Sequence, residues 1–404
     1  MKESAKEPTT LLHDFIAEQH ANVFMRAFSF ATNQLPATSE QAPELADRVV
    51  LLENAGFIFQ LREREHKVTA KVGDVEKWVA GQVVRKGVRR IQKTRDLLAS
   101  YAGLSIVNHF GHRMTVAARS PESLVGVLIY RVPPKTRAFR AARYKQNRSG
   151  AFVHVLRDTD YFEICHHFVT PAELVDYFSF RRDILLSWDP PSTAVSETAL
   201  IGQYLLEDFA SPPSSSLERA ARSRGGPTAC EFSFVLDSLG ADIAALADEE
   251  LDEENSEDDD DDYATRSDNG YQILTELALL GRYELRALKQ QLRLALEAVR
   301  ANKFELPFRM ASARTGCGFL TVPVIQEFHE RAYEALESLA VASKHELNLE
   351  KQVGIGMWKN SEFVDIEWLF LKGKNAPSPG LDARLAHSYP FRRASERRLP
   401  PIFT

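Results

Sequence analysis

The 404-residue chain has a formal charge of −6, is 44% apolar, and contains three cysteines. That length suits two or three domains with ample apolar material for packed cores. No run of eighteen apolar residues occurs and residues 1–8 are polar, so neither a signal peptide nor a membrane span is expected and the cytoplasm is the expected compartment. Cys165, Cys230 and Cys317 lie far apart, without the paired spacing of a zinc site or a disulfide framework.

The first predicted element is an amphipathic helix over residues 10–28 that carries Glu18. A β-hairpin follows. Apolar runs at 49–52 and 57–59 flank Glu53-Asn54-Ala55-Gly56, whose Asn and Gly suit the positive φ of a tight turn. Pairing Leu52 with Phe57 sets Asp47 across from Arg62. Strand side chains alternate, so Gln60 and Arg62 share a face and antiparallel pairing adds Asp47 to it. A carboxylate, an amide oxygen and a cation should therefore converge. Residues 75–98 read as a long helix with Val84, Val88, Ile91 and Leu98 as its buried stripe. Arg85, Arg89 and Lys93, with Lys86 and Arg90 beside them, give it a cationic face suited to phosphates.

A strand is expected at 125–131. The tract 135–148 then sets Lys135, Arg137, Arg140, Arg143, Lys145 and Arg148 around Phe139 and Tyr144 with no acid among them. Cations of this kind track a phosphate backbone, and the rings can stack on bases. Strands at 152–156 and 161–166 flank a turn at 157–160, and a helix at 171–186 starts behind Thr170 as its cap. Twelve carboxylates crowd residues 248–262; without them the charge of −6 becomes +6, a mildly basic body beside an acidic run. A Leu- and Ala-rich helix at 271–300, strands at 304–309 and 318–322, a helix at 325–344, and strands at 352–358 and 363–370 complete the pattern. The expected domains are 1–148, a mixed α/β middle region at 149–245, an acidic disordered linker at 246–269, an α+β domain at 270–372 and a tail at 373–404.

An Asp at the start of one strand and Gln-x-Arg on the next, behind a helix bearing a Glu, resembles the PD-(D/E)XK nuclease superfamily over residues 18–92. The chain is also similar to a set of large bacterial proteins in which such a hairpin precedes a long α/β region. The resemblance implies an α/β protein with an N-terminal restriction-endonuclease-like α/β/α core. It implies Mg²⁺ or Mn²⁺ held by Asp47, Gln60 and Glu18, and catalysis by these residues with Arg62. Gln92 would point from the following helix towards the active site. Gln in the second metal position occurs in methylation-dependent restriction enzymes, whereas Arg62 stands where the superfamily has Lys. A guanidinium stays protonated, so it can stabilise charge on a phosphate but not accept a proton.

The function so implied is a metal-dependent DNA endonuclease in phage defence or DNA processing, working as a homodimer or with a protein partner. The alternative is a catalytically silent nuclease-like protein that binds nucleic acid or a partner as a regulatory subunit. Nothing else in the chain competes. It has no Gly-x-Ser-x-Gly elbow, dinucleotide fingerprint or phosphate loop, and His166-His167 and His345 lack metal-ligand spacing.

Overall fold

A computed structural model describes residues 11–22, 24–31, 45–52, 55–64, 72–100, 104–108, 113–116, 123–132, 142–146, 151–188, 195–224, 260–361, 363–374 and 378–392. It divides into two units, Met1–Glu231 and Phe232–Thr404. Both are mixed α/β, as expected, one around a six-stranded sheet and the other around a four-stranded sheet.

In the first unit α1 (Leu12–Asn22) leads into β1 (Ser29–Ala31), β2 (Arg48–Leu51) and β3 (Gly56–Glu63), an antiparallel meander. Helical residues 72–100 follow: α2 (Val72–Trp78), a π-helical stretch (Val79–Arg85) and α3 (Lys86–Ser100). After a separate two-stranded pair, β4 (Leu104–Val107) and β5 (Arg113–Val116), the chain returns as β6 (Leu124–Arg131), parallel to β3. The last strands are β7 (Tyr144–Gln146) and β8 (Phe152–Arg157), with β8 parallel to β6 and β7 antiparallel to β8. The sheet order is β1-β2-β3-β6-β8-β7. Residues 144–157 thus complete the sheet that holds the hairpin, so position 148 is no domain boundary.

Alternation along β3 assigns its two faces. Phe57 and Phe59 pack against His20 of α1, Tyr161 of α4 (Asp158–His167) and Phe178 of α5 (Pro171–Trp188). Ile58 joins Val49, Leu51, Leu128 and Tyr130 beneath Val75, Val79, Val83 and Ile91 of the helical stretch 72–100. The strand expected at 161–166 is instead part of α4. Its buried residues Tyr161, Ile164 and Cys165, followed by Phe168 just past its end, recur at the three- and four-residue spacing of a helix, and Asp158 and Asp160 suit its N-terminal turn. α5 begins as expected: Thr170 Oγ1 accepts from Glu173 N (3.2 Å), and Glu173 Oε2 accepts from Thr170 N (3.3 Å), a reciprocal capping box.

A charged network is buried on the α5 side. Arg181 and Glu197, the latter on α6 (Glu197–Leu205), are bidentate at 2.7 and 3.1 Å, and Tyr177 donates to Glu197 at 2.6 Å. Arg181 also donates to His154 Nδ1 (3.1 Å) and to the Arg143 carbonyl (3.3 Å). The guanidinium holds the Glu197 carboxyl below its usual range despite burial. Removing one member strands the other: Glu197→Ala is expected to cost roughly 3–5 kcal/mol. Replacing Arg181 and Glu197 together by Met and Leu should recover most of that loss in urea unfolding.

Burial also depresses two histidines, His20 from 6.5 to about 3 and His154 well below its ordinary value. Both take up a proton near their ordinary value only when unfolded. Stability should therefore fall as pH drops from 6.5 towards 3, by about 1.4 kcal/mol per unit from His20 alone. A urea midpoint that stayed flat between pH 6.5 and 4.5 would contradict this.

The second unit has α8 (Asp260–Ala278), α9 (Arg282–Arg300), β9 (Phe308–Ala311), β10 (Cys317–Val324), α10 (Ala332–Glu346), β11 (Lys351–Asn360), β12 (Phe363–Lys372) and α11 (Pro379–His387); α7 (Glu218–Arg224) closes the described part of the first. Its sheet order is β12-β11-β10-β9, with β10 and β11 parallel. The helix expected at 271–300 is two helices, broken where Gly281 caps α9 and its N–H is held by Glu284 Oε2 (3.0 Å). Asp260 already lies in α8, inside the expected linker; residues 246–259 fall outside the described residues. α10 packs Leu336 and Ala340 onto Leu320 and Val322, and Phe391 closes that core.

Candidate metal and phosphate site

Hairpin pairing places Val50 across from Phe57 and Arg48 across from Phe59, so Asp47 stands across from Gln60 rather than Arg62. The register differs from the expected one by two residues. A shift of two preserves the face, and Asp47, Gln60 and Arg62 still lie together. Asp47 is fixed from several sides. Its N–H donates to the Phe59 carbonyl (3.0 Å), and its Oδ2 accepts from Leu61 N (2.6 Å) and from Gln60 Nε2. The preceding residue, Ala46, donates its N–H to Thr94 Oγ1 of α3 (2.9 Å).

Gln60 is fully buried. Its Nε2 is used twice, on Asp47 and on the Leu61 carbonyl (3.1 Å). Its Oε1 is buried and has no hydrogen-bond partner among the described residues, a costly state unless a ligand completes it. An orphaned amide oxygen beside a half-buried carboxylate is a pair of hard donors. Such a pair fits Mg²⁺ or Mn²⁺, which need few protein ligands when a phosphate supplies others. Glu18 does not join it. Glu18 is exposed on α1, which packs through His20 on the opposite face of β3, and among the described residues no three His, Cys, Asp or Glu side chains gather as a metal centre.

The parallel register continues the face across the sheet: Gln60 lies beside Leu128, and Arg62 beside Tyr130, which lies beside Arg157. These residues sit towards the carboxyl ends of β3, β6 and β8, the usual position for ligands in such sheets. α3 crosses above them. A Cβ on Gly87 would fall 2.3 Å from Leu128 Cδ1 and 3.4 Å from Gln60 Cγ, so the helix reaches the sheet there only because the residue is glycine. Further along, Arg95 donates to the Leu124 carbonyl (3.1 Å) at the amino end of β6. Arg85 and Lys86 therefore lie at the end of α3 nearer Gln60, exposed like Arg89 and Lys93, while Arg90 is half-buried.

Two expected nucleic-acid residues have other roles. Gln92 donates to Asp96 (2.7 Å) and accepts from Arg95 (3.4 Å), a turn and more from Gly87, so it does not face the corner. Arg143 is drawn into the buried network on the opposite side of the sheet, where its carbonyl accepts from Val155 N (2.8 Å) and burial lowers the pKa of its guanidinium. Arg137 and Arg140 lie outside the described residues. Sequence reading missed Tyr130, Arg157 and Arg64; only the alternation of strands not yet paired could have grouped them.

Compared with family models, curated proteins and solved structures, the chain matches none. No helix of the described residues is long and apolar enough to cross a membrane. The close approach at Gly87 gives a direct test of the site's construction. Gly87→Ala should wedge α3 away from Gln60 and Leu128, cost roughly 1–3 kcal/mol, and increase hydrogen exchange of the β3 amides. Unchanged stability would show that α3 does not seat there.

Proposed function

We propose that the first unit is a divalent-metal-dependent phosphodiesterase acting on DNA, of the PD-(D/E)XK kind, in the cytoplasm where its substrate lies. The observation that carries this reading is the buried Gln60 Oε1, without a hydrogen bond among the described residues, beside the Asp47 carboxylate. Its setting supports it: a helix, an antiparallel meander, a crossing helix, then a strand parallel to the third. Asp47 and Gln60 would hold the cation, whose part is Lewis-acid polarisation of the scissile phosphate. The Leu61 N–H fixes the carboxylate, Arg62 offsets charge developing on the phosphate, and Arg85 and Lys86 hold the backbone alongside.

Arg62 also supports a second reading. A guanidinium cannot relay a proton at neutral pH, so the corner would bind nucleic acid without cutting it and the chain would serve as a regulatory subunit. Plasmid and linear DNA with Mg²⁺ or Mn²⁺ decide between them. Cleavage should disappear in Asp47→Ala and persist or rise in Arg62→Lys. Salt-sensitive binding with no cutting by either the native chain or Arg62→Lys would leave only the second reading.

A further inference from the structure

Past Gln60 and Arg62 the same face of the strand continues to Arg64, whose N–H donates to the Arg131 carbonyl (3.4 Å) and so extends the pairing of β3 with β6. α2 ends beside it. Trp78, half-buried against the core of this face, has its ring centroid 6.0 Å from the Arg64 guanidinium carbon. Arg64 Nη1 is buried and makes no hydrogen bond among the described residues. On the opposite face Arg131 is differently provided for, with Asp158 at 2.7 Å and Glu63 at 3.4 Å. Arg64 thus combines a buried spare donor with an indole instead of a carboxylate.

We propose that Arg64 and Trp78 form a subsite for an unpaired nucleotide next to the Asp47–Gln60 corner, which makes single-stranded nucleic acid the ligand class. The identity of the neighbouring corner rests on the reading above; the subsite itself is tested by binding alone. Arg62 and Arg64 are two residues apart on one strand face, about 6.6 Å, a span comparable with successive phosphates on an extended strand. Arg64 would take the second phosphate through its spare donor. The guanidinium lies over part of the Trp78 ring, so the attached base would stack on the indole beside it, and a base reaches such a ring only outside a duplex stack.

Titration of the full chain with a short oligothymidylate, in EDTA at low salt, should quench tryptophan fluorescence and give tighter binding than a duplex of equal length. Trp78→Leu should weaken that binding roughly 5- to 150-fold, with most of it regained in Trp78→Tyr, which keeps a stacking ring. Arg64→Gln should reduce the slope of log affinity against log salt by about 0.7. Equal affinity for duplex and single strand, or unchanged affinity in a Trp78→Leu protein with native circular dichroism, overturns the subsite. Trp78-dependent binding without cleavage keeps the subsite and removes the nuclease reading; Asp47-dependent cleavage indifferent to Trp78 does the reverse.

Discussion

The arrangement of the first unit depends on β3 being paired along both edges and buried on both faces. Its antiparallel partner β2 delivers Asp47, and its parallel partner β6 sets the level at which Tyr130 and Arg157 stand beside Arg62. Alternation then separates two environments across the thickness of one strand. Phe57 and Phe59 enter an aromatic layer with His20, Tyr161 and Phe178, while Gln60 is left beneath α3 among aliphatic side chains. A buried amide in that position is expensive to leave unsatisfied. The aromatic layer supplies rigidity; the polar residue on the other side is what needs an explanation beyond stability.

The hairpin was legible because its signals are local. Two apolar runs and a Gly-containing turn fix the faces of Asp47, Gln60 and Arg62 whether the register is the expected one or two residues away. Errors arose where tertiary partners decide. Residues 161–166 contain apolar and polar side chains compatible with either period, and burial against α1 and α6 selects the helix. Arg143 looks solvated beside other cations, yet the Glu197 carboxylate near its guanidinium comes from an element more than fifty residues later. The resemblance sets Gln92 on a helix lying across the sheet, but Gly87 fixes where that helix touches, five residues earlier. Arg64 and Trp78 belong to different elements, and no short-range pattern joins them.

The charged groups of the first unit divide by face in a way that composition conceals. On the α1 and α5 side, carboxylates are matched by guanidiniums: Glu197 by Arg181, and Glu63 and Asp158 by Arg131. The buried Arg181–Glu197 pair mainly avoids the cost of isolated charge; the Arg131 pairs are only half-buried. On the α3 side Arg62, Arg64, Arg85 and Lys86 accompany the carboxylate of Asp47 among the described residues. The first side sets its carboxylates against guanidiniums, and the second gathers cations around Asp47.

That bias constrains how the proposed site would work. With an amide where a second carboxylate could stand, Asp47 contributes one negative charge, and Arg62 and Arg64 lie on the same strand face with two positive ones. A divalent cation gains little from such a field by itself. A phosphate at the corner changes the sum, because its oxygens add negative charge and ligands while its remaining charge meets the guanidiniums. Nucleic acid and cation would then bind with mutual reinforcement, each raising the affinity of the other by the same factor. In this arrangement the planar fork of Arg62 would hold a phosphate in one orientation, and Gln60 would keep the corner from attracting a cation before there is a phosphate to act on.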